Sequence, residues 1–302
     1  MSEEMGEQPR RKALSIESDL QKVVTEEFAG RKVTGLKSIS GGCINQAFQV
    51  TLDDGARLFI KVNQASLREM FAVEFRGLLA LQATGCIRVP SPVAWGQSGA
   101  ISYLVLEWLE SGQRSSDFFS ILGRSLAEMH LYRGAEAFGF ECDNFIGSTT
   151  QPNGWQTEWS RFFIEVRLVH QLTLADRNGF ELGPLFTESV CERVQHLLGT
   201  CCRPSLIHGD LWSGNCMAGP RGNPVLIDPA PYWGHREAEF GILTLFGGFP
   251  DDFFAAYRER FPLDEGFDER LPVYQLYHYL NHLNLFGATY RDACQDLLKR
   301  LA

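Results

Sequence analysis

The sequence lacks most of the motifs that would announce a chemistry at once. It holds eight cysteines, yet no C-x-x-C pair and no Cys/His grouping with the spacing of zinc ligands. No apolar run approaches the roughly 18–20 residues that span a bilayer, so no membrane partner is expected. Residues 1–30 are charged rather than apolar, which argues against a secretory signal and for a reducing, cytoplasmic setting. Lys and Arg number 28 against 37 Asp and Glu, a net charge of -9, and that balance disfavours a broad nucleic-acid surface. No Gly-Lys dipeptide exists, so there is no P-loop; no His-Glu dipeptide exists for a zinc-protease helix; and G-x-G-x-x-G is absent. Gly123-Arg124-Ser125-Leu126-Ala127 misses a nucleophile elbow by its last residue. His130, near the end of an apolar helical pattern, reads as a packed histidine rather than a catalyst.

What is present is the balance of an ordinary globular chain, with 44% hydrophobic and 22% charged residues in 302. Residues 1–15 are polar and read as a flexible terminus, and a helix is expected from Ser18. Ala47–Leu52 and Arg57–Val62 alternate as strands across Asp53-Asp54-Gly55, a composition suited to a hairpin turn. Ser66 and Glu69 have capping-box spacing at the head of the next helix. Val93–Trp95 and Ile101–Leu109 suggest two more strands. Beyond Ser111-Gly112 long amphipathic segments take over, at 117–132, 158–176, 186–198 and 272–286. Strands first and helices afterwards imply an α+β chain of two lobes, 16–110 and 111–302.

The strongest motif is His208-Gly209-Asp210-Leu211-Trp212-Ser213-Gly214-Asn215, followed by Val225-Leu226-Ile227-Asp228. Asp210 and Asn215 stand five apart, as in the protein-kinase catalytic loop, where the Asp orients the attacking hydroxyl and the Asn holds magnesium. A hairpin centred on Arg221-Gly222 pairs positions summing to about 443, which would set Asn215 against Asp228. Hard oxygen donors of that kind suit magnesium alongside phosphate oxygens. Either Asp alone would read as a turn residue; the joint spacing favours chemistry.

A second signal is Lys61 in the apolar strand Arg57–Val62, with Glu74 on a helix face shared with Leu67, Phe71 and Leu78. A carboxylate on an apolar face needs a partner, and Lys61 paired with it would present an ammonium to phosphate oxygens. A third is Ser40-Gly41-Gly42-Cys43-Ile44-Asn45-Gln46, where small residues let backbone N–H groups approach phosphates.

These residues resemble the fructosamine kinase (ketosamine-3-kinase) family, related to the aminoglycoside and choline kinases, over about residues 33–300. The motifs are Gly41-Gly42-Cys43-Ile44-Asn45, Phe59–Asn63, Leu104–Trp108, Asn144–Ser148, Gln151–Trp155, the 208–215 loop, Asp228-Pro229-Ala230 and Gly234–Glu237. The resemblance implies a bilobal protein-kinase-like fold with ATP in its cleft: an N-terminal antiparallel sheet with a pairing helix, and a larger, mainly helical C-terminal lobe. It implies transfer of the ATP γ-phosphate, with Mg2+, to the 3-hydroxyl of fructosamines or ribulosamines, free or on glycated proteins, after which the amine is released. Asp210 would be the base, Asn215 and Asp228 the metal ligands. Lys61 would contact the ATP phosphates and Glu74 anchor it, and Glu107, Trp108 and Leu109 would form the hinge at adenine. His235, Arg236 and Glu237 would lie on the substrate side, as contacts or as supports.

Gly209 stands in place of the Arg of H-R-D and Asp228-Pro229-Ala230 in place of D-F-G, departures that suit a metabolic kinase rather than a phosphorylation-switched one. Two alternatives stay open: an aminoglycoside- or choline-type kinase of the same fold, and a pseudokinase that binds nucleotide without turnover. Cys43 also has two readings. It is a small filler of a tight loop, or an electropositive loop thiol sensitive to oxidants, able to join two chains in a redox-linked homodimer instead of a monomer.

Overall fold

The computed structural model describes residues 4–40, 44–199 and 202–302, with side chains from Ile16 onward. The first lobe holds five strands: β1 Val33–Ile39, β2 Gln46–Leu52, β3 Arg57–Gln64, β4 Pro92–Ser98 and β5 Ile101–Glu107. They form one antiparallel sheet in the order β1-β2-β3-β5-β4. Phe48, Val50 and Leu52 of β2 and Leu58, Ile60 and Val62 of β3 point to one buried face, as the alternation requires. Leu20, Val23 and Val24 of the helix Glu4–Glu27 close that face. The helix starts well before Ser18; Glu, Arg, Lys and Ala are good helix formers, and they extend a helix whose packed end is anchored. The expected β2–β3 hairpin forms, with Gly55 N–H donating to Leu52 O at 3.0 Å.

The helix Arg68–Ala83 follows β3 through a 3-10 turn, Ala65–Leu67. The Ser66–Glu69 capping box is not what starts it. Ser66 lies inside the 3-10 turn, two residues ahead of the first helical residue, so its hydroxyl is not at the cap position.

Two compact units result: Met1–Leu79 with Pro90–Glu110, and Ala80–Val89 with Ser111–Ala302. The 80–89 segment, within the 16–110 range expected of the first lobe, joins the second through Leu226 N–H donating to Arg88 O at 2.9 Å. In that unit the helices Phe118–Leu131 and Asp251–Arg260 pack together, and Phe267–Phe286 buries Val273, Tyr274, Leu276, Tyr277, Leu280 and Leu283. Three short antiparallel pairs accompany them: Asn144–Ile146 with Thr149–Gln151, Ser205–Ile207 with Tyr232–Gly234, and Cys216–Ala218 with Pro224–Leu226. Among the described residues, no helix is long and apolar enough to cross a membrane.

Candidate active site

In the first unit the strand lysine and helix glutamate meet. Lys61 is 7% exposed on the central strand β3, and its Nζ lies 2.6 Å from Glu74 Oε1. Phe71 and Leu78, on the face of the helix that carries Glu74, are buried, so the carboxylate stands where an unpaired charge would be costly. Leu67 is the exception to the expected face: it ends the 3-10 turn and remains exposed. Glu107 ends β5, its N–H donating to Ser91 O at 3.0 Å, and Trp108 and Leu109 continue as non-strand backbone. Trp108 Nε1 donates to Glu110 Oε1 at 3.0 Å. Gly41, Gly42 and Cys43 lie outside the described residues.

The second unit holds the 208–215 loop, which leaves the strand Ser205–Ile207 and turns back through a 3-10 turn at Ser213–Asn215. His208 is fully buried; its Nε2 donates to Ile227 O at 3.0 Å while Nδ1 accepts from Asp210 N–H at 3.4 Å. That is the bonding of a neutral imidazole, and burial pushes its pKa down in agreement. Gly209 has φ +81°, and a Cβ there would come within 2.1 Å of Ala230 O. The glycine in place of the kinase Arg therefore has a steric cause: this loop passes against the backbone that follows Asp228. Gly209→Ala is expected to cost more than the ~1–2 kcal/mol of the left-handed backbone alone. Ala230 would have to move, and a lowered melting temperature together with lost activity would register it.

The hairpin after the loop pairs Ala218 with Pro224, Met217 with Val225 and Cys216 with Leu226. The pairs sum to 442, one less than the expected 443, and Ile227 rather than Asp228 stands opposite Asn215, donating its N–H to Asn215 O at 3.0 Å. The cause is the turn. Gly219 N–H donates to Asn223 O at 2.9 Å, enclosing a Pro220–Gly222 loop with Gly222 at φ +79°, a longer loop than the tight turn centred on Arg221-Gly222. A slip of one residue would send the Asp228 side chain to the opposite face of a regular strand. Asp228 instead leaves the strand with φ +53°, a conformation rare outside glycine.

Asn215 Nδ2 donates to Asp210 O at 2.8 Å and to Asp210 Oδ2 at 3.1 Å, which orients its amide oxygen away from Asp210. Burial pushes the Asp210 carboxyl up to about 7, and the negative charge of Asp228 adds to the rise while the Asn215 hydrogen bond opposes it. Two carboxylates close enough for one to raise the pKa of the other, with an amide oxygen on the same loop, are hard donors of the kind a magnesium ion takes.

A buried polar network holds the segment that follows Asp228. Gln151 Nε2 donates to Ala230 O at 3.1 Å and Asn144 Nδ2 to Pro231 O at 2.8 Å, while Tyr277 OH donates to Gln151 Oε1 at 2.6 Å. Arg167, 1% exposed within the π-helical stretch Phe162–Leu168, donates to Asn153 Oδ1 at 2.6 Å and stacks 4.1 Å from the Tyr232 ring. The Asn144–Ser148 and Gln151–Trp155 motifs thus act as a brace.

His235, Arg236 and Glu237 are buried, at 2%, 3% and 0% exposure, and their bonds face inward. His235 Nδ1 pairs with Tyr274 OH at 2.7 Å; Arg236 donates to Pro262 O at 2.6 Å and Asp264 Oδ1 at 2.9 Å; Glu237 accepts from Arg270 Nε at 2.7 Å. Their bonds support residues 261–274. Donor atoms of His235, Glu237 and Asp264 lie within 4.8 Å of one another. Arg270 and Arg236 already balance both carboxylates, which removes the negative charge a divalent ion would need.

One organising residue escaped the sequence reading. Glu239, 1% exposed, accepts His208 N–H at 2.5 Å and Gly209 N–H at 3.0 Å. Its signal was available: an acidic residue in the apolar run Ala238–Leu243 must find donors. His130 is packed as expected, its Nδ1 2.8 Å from Tyr257 OH and its Nε2 3.6 Å from Glu239. Burial lowers its pKa against the pull of that carboxylate.

The sheet with its Lys–Glu pair, the helical unit and the loop of Asp210 and Asn215 are those of a protein-kinase-like phosphotransferase. An aminoglycoside phosphotransferase crystallised with AMP-PNP and hygromycin B shares the fold at TM-score 0.58 and 16% identity, covering 94% of this chain and 97% of that one. A crystal structure from Haemophilus somnus, provisionally assigned as a fructosamine-3-kinase, matches far better, at TM-score 0.85 and 31% identity over 94% of this chain and 97% of that one. The fructosamine kinase family model matches residues 15–302, and the chain belongs to that family. A Synechocystis protein described as a probable ketoamine kinase is 44% identical over 87% of this chain and 89% of its own. A chloroplastic protein-ribulosamine 3-kinase of Oryza sativa subsp. japonica is 40% identical over 93% of this chain and 83% of its own.

Proposed function

We propose that this protein is an ATP-dependent kinase that phosphorylates the 3-hydroxyl of ketosamines, fructosamine or ribulosamine adducts of small amines or protein lysines. The observation that carries it is the Asp210–Asn215–Asp228 group on a glycine-hinged loop, in a chain whose family relatives carry ketoamine- and ribulosamine-kinase names. Asp210 orients the sugar hydroxyl and receives its proton as the oxygen attacks the γ-phosphorus. Asn215 and Asp228 would hold Mg2+, which neutralises charge on the phosphate oxygens when bound. Lys61, held by Glu74, supplies a positive charge to the phosphates, and the backbone of Glu107, Trp108 and Leu109 receives adenine. His208 stays neutral and serves to fix the loop, with Gly209 allowing the close pass at Ala230. His235, Arg236 and Glu237 act as supports.

Phosphorus NMR of the product formed from fructosyl-lysine is expected to place the phosphate on the third sugar carbon. Phosphate on another hydroxyl, or no turnover of any ketoamine, would remove the substrate assignment while leaving the fold and family untouched.

A further inference from the structure

Four rings gather on the surface of the second unit outside the catalytic loop. The His282 ring centroid lies 4.9 Å from Phe246, 5.5 Å from Phe286 and 5.2 Å from Tyr290, and Phe286 lies 6.4 Å from Tyr290. They come from the loop after the helix Glu239–Leu243, the end of the helix Phe267–Phe286 and the turn Ala288–Tyr290. Phe246 and Phe286 are 43% and 57% exposed. A single exposed Phe needs no explanation, but neighbouring exposed rings forgo burial together and mark a surface that something covers.

The position of the patch says what covers it. The chain runs from Phe246 through Gly247 and Gly248, both at positive φ, and Gly248 lies against the catalytic loop: a Cβ there would come within 2.7 Å of Ser213 Cβ. The backbone two residues beyond Phe246 therefore packs against the loop that carries Asp210. The ketoamine of the proposed reaction has two halves. Its sugar brings the 3-hydroxyl to Asp210, and three bonds from that carbon sits a secondary amine, protonated at neutral pH and bearing the hydrocarbon of the parent amine. Ring faces attract an ammonium and cover hydrocarbon at the same time. The one ring in the cluster that could become cationic does not oppose this: His282 Nδ1 donates to His278 O at 2.8 Å, and burial pushes its pKa down, which favours the uncharged ring.

We propose that Phe246, His282, Phe286 and Tyr290 form an aromatic subsite for the amine half of the ketoamine, favouring alkyl and arylalkyl ammonium substituents over those carrying a carboxylate beside the nitrogen. The inference rests on the ketosamine-kinase reading and deepens it. The test compares kcat/KM of the full chain on two fructosamines, the benzylamine adduct and the glycine adduct. The parent enzyme prefers the first, and Phe246→Ala or Phe286→Ala lowers that preference about five- to tenfold, the scale of one lost cation–π and packing contact. Phe286→Tyr, which keeps the ring, retains the preference; Phe286→Leu, apolar without a π face, loses most of it, and this pair decides the matter should the alanine variants fold poorly. Equal kcat/KM on the two adducts in the parent, or a preference unmoved by the variants, overturns the subsite and leaves the kinase reading standing. A parent that sediments as a dimer, with Phe286→Ala a monomer of unchanged preference, overturns it in favour of a contact between copies. Failure to phosphorylate either adduct removes the kinase reading and the subsite together.

Discussion

Asp210→Asn is expected to lower phosphoryl transfer by about 10²–10⁴-fold, the range for loss of a positioned general base, while nucleotide binding stays nearly unchanged. The variant keeps the shape of the side chain and the backbone carbonyl that receives Asn215 at 2.8 Å, so the loop should hold its form. Asp228→Asn is expected to act differently, weakening Mg-ATP binding itself, because it removes a charge from the proposed metal ligands. Calorimetry of the two variants separates these roles; equal loss of nucleotide affinity in both would refute the division. A pH dependence follows as well. With the metal-free Asp210 carboxyl raised to about 7, chiefly by burial and then by Asp228, the ionised base is lost as pH falls through that value. An acidic limb in kcat/KM should appear and move to lower pH as magnesium is raised. For stability the sign is opposite: a carboxyl raised above its usual value near 4 contributes nothing below that pH. It penalises the metal-free fold increasingly as pH rises from about 4 towards 7, where the folded chain holds a proton the unfolded chain has released.

Glu239→Ala is expected to be the most damaging change outside the reacting groups. It leaves the N–H groups of His208 and Gly209 buried without an acceptor, and two such orphans cost about 2–6 kcal/mol. It also frees the segment that aims Asp210, so activity should fall even at temperatures where the variant is folded. Glu239→Gln should lie between, since its single amide oxygen can accept one N–H while its NH₂ faces the other. Urea denaturation followed by intrinsic fluorescence gives the stability loss directly. A change under about 0.5 kcal/mol, the scale of an ordinary surface substitution, would show that the loop does not depend on this carboxylate.

Much of the candidate site is legible in the sequence because its parts are close along the chain. Asp210 and Asn215 share one turn. Lys61 and Glu74 belong to a strand and the helix directly after it, and their meeting followed from a charge standing on each apolar surface. The β2–β3 hairpin of the first unit was equally legible, since strands joined by a short turn leave few ways to pair, whereas the placing of β5 rather than β4 beside β3 was not. The hairpin after the loop shows the limit. Its existence was plain, but its register moved by one residue because Gly222 supports a longer turn, a difference that composition alone does not weigh.

The sequence by itself determined the family, the alternation of the β2–β3 hairpin and the candidate reactive groups, since each depends on residue type at short spacing. Tertiary structure alone decided where the buried polar residues spend their hydrogen bonds. Glu239 holds a loop some thirty positions upstream, Arg167 braces Asn153, and His235, Arg236 and Glu237 spend their bonds on residues 261–274. It also decided that Phe246, His282, Phe286 and Tyr290 meet at the surface, two residues along the chain from the Gly248 that packs on Ser213. Burial and distant partnership arise from how helices pack, and a buried arginine and a solvated one are written with the same letter.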